Sequence, residues 1–140
     1  MRKKISKIEL RKVVRRITLI ILNIDNDIDM KEIKKLKKIL SISSIKNLDS
    51  EGIVKLVIEE KEEKEDEYQV FLMELEKVKD PNQQELVSKI IIDVVNADGT
   101  IDENEKDLLR ILVKTYHKVD FRSIFEKEIK FEELIEKLRD

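Results

Sequence analysis

The chain has no cysteine and no tryptophan, and among its 140 residues it has one proline, two glycines and one histidine. Without cysteine there is no disulfide, no thiolate nucleophile and no Cys-ligated zinc. So few Gly and Pro residues leave little turn chemistry for β-hairpins, while Leu, Ile, Lys and Glu abound, a composition that favours helices. The lone His117 follows Tyr116 at a helix end, where a dipole or packing role is the common one. Ser41, Ser43, Ser44 and Ser50 lie near connectors with no His/Asp grouping, so the sequence reads as that of a protein without enzymatic activity. There is no long apolar run. After Met1-Arg2-Lys3-Lys4, which would serve as a leader's basic region, the uncharged stretch spans only Ile17 to Ile24 before Asp25 ends it. That is too short to cross a bilayer, and no small-residue cleavage site follows. The reading is a soluble, cytoplasmic chain with no membrane insertion.

What the chain does have is charge. It is 41% hydrophobic and 43% charged, enough apolar residues for a core under a heavily solvated surface. The length fits one domain over 1–140. The net charge is only −2, yet residues 1–46 hold fourteen Lys/Arg against five Asp/Glu, and the remainder is acidic. Such asymmetry marks a surface for a protein partner or pairing between the two halves. Residues 1–46 contain no aromatic ring to stack on bases, and their lysines alternate with acids and core positions, which argues against nucleic acid. The sequence leaves the oligomeric state open.

Apolar spacing predicts a helix over 8–22, with Ile8, Val13, Ile17, Ile20 and Ile21 on one face and Arg11, Lys12, Arg15 and Arg16 mostly on the other. Ile33, Leu36, Ile39 and Leu40 predict a second helix. Asp49 or Ser50 can cap a third through Ile53, Leu56 and Val57. Residues 59–67 have no apolar face and read as a solvated helix end or loop. Tyr68, Phe71, Leu72, Leu75 and Val78 resume the helical period until Asp80-Pro81, where proline suits the start of the next helix, 83–95. Leu108, Leu109, Leu112 and Val113 follow. Asp120 can cap a short helix with Ile124 and Phe125, and Phe131, Leu134, Ile135 and Leu138 make the last.

One segment occurs twice. Asn23-Ile24-Asp25-Asn26-Asp27-Ile28-Asp29-Met30-Lys31-Glu32 recurs seventy-three positions on as Asn96-Ala97-Asp98-Gly99-Thr100-Ile101-Asp102-Glu103-Asn104-Glu105. The helices on either side correspond too, so the fold class expected is all-α: a compact bundle of about six to eight helices built on two repeated hairpins, about 10–40 and 83–113. Within each copy, Asp29 with Glu32 and Asp102 with Glu105 form capping boxes, in which the Asp accepts the backbone N–H three residues on and the Glu reaches back. Ile28 and Ile101 sit where a hydrophobic staple would place them. Capping does not account for Asp25 and Asp98. Each precedes a residue tolerant of a left-handed turn, Asn26 or Gly99, which would aim it at the following helix start. The spacing also matches the latter part of an EF-hand loop. The first ligand of such a loop is missing, because Ile21 and Val94 stand in its place.

Val94-Val95-Asn96-Ala97-Asp98-Gly99-Thr100-Ile101-Asp102-Glu103-Asn104-Glu105, followed by Leu108-Leu109 and preceded by a helix from about Pro81, resembles the tellurite-resistance TerB family. It is also similar to the related N-terminal domain of membrane-anchored DnaJ-like co-chaperones. The resemblance implies an all-helical fold, a stress-response setting and chelation of divalent cations by paired acids. The first copy departs from the family pattern by carrying Asn26 for Gly. The candidate metal ligands are Asp25, Asp29 and Glu32 at one turn and Asp98, Asp102 and Glu105 at the other. An all-oxygen set favours calcium or magnesium over zinc or copper. The alternative is a protein-interaction adaptor whose acidic turns only cap helices.

Overall fold

The computed structural model describes residues 4–24, 34–35, 38, 66–96, 101, 103–126 and 130–139. Among them are six helices and no strand: α1 (Lys7–Ile24), α2 (Glu67–Glu76), α3 (Pro81–Val95), α4 (Glu103–Thr115), α5 (Phe121–Glu126) and α6 (Phe131–Leu138). The all-α bundle expected from composition and spacing is therefore the observed architecture. Residues 34, 35 and 38 are helical, in line with a helix over 33–40. The helix expected near 53–57 lies outside the described residues.

The helix starts follow capping chemistry. Ser6 and Glu9 make an S-x-x-E start for α1, with the Glu9 N–H donating to Ser6 Oγ at 3.2 Å. Asp66, near the end of the acidic run, caps α2 by accepting from the Tyr68 N–H at 3.1 Å. Asp80 accepts from the Gln83 N–H at 3.0 Å with Pro81 in the first turn of α3, the position where proline's missing N–H costs nothing. Asp120 accepts from the Ser123 N–H at 3.1 Å and opens α5.

α1 is the centre of the bundle and packs against α2, α3, α4 and α6. Its burial differs from a simple two-faced pattern. From Ile17 to Ile24 every residue is buried, so this half of the helix is enclosed all round. Toward the N-terminus, Ile8 is 56% exposed and Arg11 only 8% exposed, the reverse of what apolar spacing predicts for these two. The reason is tertiary. Arg11 lies against the end of α6, where one guanidinium N–H donates to the Leu138 carbonyl at 2.8 Å. That carbonyl is one of the last-turn acceptors a helix cannot satisfy by itself.

The core joins α1 to Phe71, Leu75 and Val78 of the α2 region, Val87, Ile90, Ile91, Val94 and Val95 of α3, Leu108 and Leu112 of α4, and Leu134, Ile135 and Leu138 of α6. Buried hydroxyls on α1 and α3 satisfy themselves locally: Thr18 Oγ1 donates to the Val14 carbonyl at 2.8 Å and Ser88 Oγ to the Gln84 carbonyl at 2.7 Å. Tyr116 is 1% exposed, and its hydroxyl crosses to the Leu75 carbonyl at 2.6 Å, tying the end of α4 to α2. His117, by contrast, is exposed in the turn after α4 and has no packing role.

Two long-range contacts orient α1 relative to α3. The Gln83 side-chain amide at the start of α3 accepts from the Ile5 N–H at 3.1 Å and donates to the Ile5 carbonyl at 2.8 Å, just before α1 begins. At the far end, α1 meets the start of α4, the helix that follows α3. The two first limbs of the repeat thus run side by side in the same direction, from a shared N-terminal end to the two acidic turns.

Candidate cation site at the acidic turns

Of the six candidate ligands, Asp25, Asp29, Glu32, Asp98 and Asp102 lie outside the described residues, as do Asn26 and Gly99. Glu105 is described. It is the third residue of α4, and it is 1% exposed, in contrast to its neighbour Glu103, which is exposed and pairs with Lys106 at 3.2 Å. Burying a carboxylate costs several kcal/mol, on the order of what a buried ion loses in hydration, unless hydrogen bonds, a helix N-terminus or a cation compensate. Helical geometry explains why the two glutamates differ: residues 103 and 105 fall on different faces of α4, and the face of Glu105 also carries Leu108 and Leu112, both 0% exposed. Among the described residues no three His, Asp or Glu side chains gather into a metal cluster.

Asn104 lies between these two glutamates and links the copies of the repeat. Its Nδ2 donates to the Ile24 carbonyl at 3.2 Å. Its Oδ1 lies 3.4 Å from the Tyr68 hydroxyl, a long contact by hydrogen-bond standards. Ile24 is the last residue of α1 and immediately precedes Asp25. The helix that leaves the second acidic turn is therefore bonded to the helix that enters the first.

A second bond runs the other way. Lys35, from the second limb of the first copy, donates to the Asp93 carbonyl at 3.1 Å near the end of α3 and pairs with the Asp93 carboxylate at 2.5 Å. The same ammonium stands 5.1 Å from the centroid of the Phe131 ring, within cation–π range. Lys38 pairs with Glu132 on α6. Each copy's second limb thus supplies a donor to the C-terminal end of the other copy's first limb, where carbonyls and the negative end of the dipole need one. Asp93, beside the second turn in sequence, is committed to Lys35.

The two asparagines that begin the repeated segment have different surroundings. Asn96 is exposed and ends α3, its N–H donating to the Ile92 carbonyl at 3.0 Å. Asn23 is 4% exposed inside α1, and its Oδ1 has no hydrogen-bond partner among the described residues.

A family model described as tellurite resistance protein TerB matches residues 14–139. The chain belongs to the TerB family. The matched span takes in all of α2 to α6 and most of α1, so the membership covers the duplicated turns and the bundle that holds them. No curated protein and no solved structure matches the chain.

The repeat marks the two acidic segments in the sequence, but it does not single out Asn104, Lys35 and Asp93 as connectors between the copies. An amide at the second position of α4 was the available signal for Asn104, since a capping box has no use for it. Nothing local marks Lys35, one of five lysines within residues 31–38.

Proposed function

We propose that this TerB-family chain is a non-enzymatic, cytoplasmic stress-response module that binds a hard divalent cation, calcium or magnesium, through its two acidic turns. Asp25, Asp29 and Glu32 would supply oxygens from one turn and Asp98, Asp102 and Glu105 from the other. The observation that carries this reading is the bond from Asn104 Nδ2 to the Ile24 carbonyl, which tethers the start of one acidic segment to the helix leaving the other. Neither turn alone offers a full oxygen shell, because the first EF-hand position is aliphatic in both, so a cation would draw oxygens from both. Glu105 is buried in the first turn of α4, where a helix N-terminus and a cation would both favour its charged form.

Isothermal calorimetry and thermal melting with calcium, and separately with magnesium, test the reading. A cation present at about ten times its Kd should add about 1.4 kcal/mol, a rise in Tm of about 5 °C for a chain of this size. Asp98→Asn should abolish the calorimetric signal while leaving the helical circular dichroism intact, and Glu105→Gln should do the same to the extent that it folds. The absence of heat and of a Tm shift at millimolar cation, or an unchanged response in Asp98→Asn, would remove the proposal.

The adaptor reading has its own observation. Ile8, Met73, Val113 and Phe125 are 42–57% exposed, a set of apolar side chains on α1, α2, α4 and α5 that the bundle does not use. A pull-down that survives chelator would favour an adaptor whose turns act only as caps.

A further inference from the structure

The end of the molecule where α1 and α3 begin carries a cleft of about 490 Å³ between the N-terminal segment, α1, α3 and α6. Lys4, Lys7, Lys89 and Lys137 line it, and Ile5, Leu10 and Leu86 supply its apolar surface. Among the described residues Glu85 is the one acid in this lining, and it is spoken for by Lys89 at 3.0 Å. Four cations and one carboxylate therefore converge on one cleft of a chain whose net charge is only −2. The lysines come from positions 4, 7, 89 and 137, so folding gathers basic residues from both ends of the sequence, including its acidic part. The N-termini of α1 and α3 begin here and bring positive dipole ends, offset in part by the C-terminus of α6.

We propose that this cleft docks an acidic segment of a protein partner, with carboxylates on the lysine rim and one aliphatic side chain on the floor. Charge complementarity names the sign of the occupant, and the nature of the lining names its kind. A small-molecule site orients its ligand with a few fixed polar groups. The fixed group here, the Gln83 amide, has both ends taken by Ile5. What remains is the exposed Asn82 amide and ammonium groups on long stems. Lys7 is anchored to the Arg139 carbonyl at 2.8 Å, while Lys4 and Lys137 form no ion pair among the described residues. Flexible point charges suit a partner with several interchangeable carboxylates. Among the described residues no aromatic ring lines the cleft to stack a base, which argues against nucleic acid. The lysine stems themselves extend the apolar surface on which an aliphatic side chain would rest.

Fluorescence anisotropy with the labelled peptide Asp-Glu-Leu-Glu-Asp, run in chelator so that the result is independent of any cation at the far end, tests the proposal. The full chain should bind it with Kd of about 100 µM or tighter at low salt, weakening several-fold by about 0.2 M salt. The double substitution Lys4→Gln/Lys137→Gln, at two exposed positions, should weaken binding at least fivefold without changing the melting curve. Replacing the peptide's Leu by Ser should weaken it again. Absence of binding at about 1 mM peptide, equal binding by the double variant, or displacement of the peptide by equimolar citrate or inorganic phosphate would each overturn the proposal, the last by making this a small-anion site.

Discussion

Tyr116 ties α4 to α2 through the core of the bundle. Among the described residues it is the bulkiest that is fully buried, and its hydroxyl is satisfied across the core by the Leu75 carbonyl. Burial pushes the phenol well above the ordinary value of 10.0, because the phenolate would lose its hydration. In the unfolded chain the group ionises near 10. The folded protein therefore holds a proton that the unfolded chain has lost as pH climbs above that value. The stabilisation is intact below about pH 10 and declines above it, by up to about 1.4 kcal/mol per pH unit. Tyr116→Phe should cost about 1 kcal/mol at neutral pH, since the Leu75 carbonyl also accepts from the Val78 N–H. The variant should also lose part of the alkaline decline, as urea melts at pH 7 and above pH 10 would measure. At this scale the sequence was a partial guide. Periodicity located Leu75, Val94 and Leu112 in the core. It misplaced Ile8 and Arg11, because the carbonyl that draws Arg11 inward lies 127 residues away and leaves no mark on local spacing. Five of the six candidate ligands fall outside the described residues, so of the candidate site the structure speaks to Glu105 alone.

Helices of this chain were legible where capping and apolar period agreed. Asp80-Pro81 and Asp120 announced α3 and α5, and the repeat announced the α3–α4 hairpin. The joints between helices were not legible, since they depend on polar groups meeting at long range. Gln83 shows why. It is a polar residue near the start of an apolar-period helix, and nothing in the sequence distinguishes it from Gln84, whose amide instead donates to the nearby Val78 carbonyl at 3.0 Å. In the fold, Gln83 is 6% exposed and pairs with the backbone of Ile5 as a neighbouring strand would. Gln83→Ala should release the segment ahead of α1. The Ile5 amide should then exchange with solvent at least tenfold faster, and stability should fall by about 1–2 kcal/mol for two lost hydrogen bonds. Unchanged exchange at Ile5 would show that the apolar contacts of this segment suffice to hold it.

At the scale of the whole molecule, the duplication is a device for joining two ends. Asn104 reaches from the second copy to the first, Lys35 reaches from the first to the second, and both act at helix C-termini beside the acidic turns. Asn104→Ala should remove one such tie, lowering stability by about 1 kcal/mol. It should also weaken calcium several-fold in calorimetry if the two turns act together. Equal calcium affinity with lower stability would make the tie purely structural. The shared direction of α1 and α3 has one more consequence. Positive charge gathers where they start, and the acidic segments begin where they end, about 27 Å away along an 18-residue helix. That separation is well beyond the screening length of about 8 Å at physiological salt. A charge bound at one end would hardly be felt at the other, so the two ends would load independently.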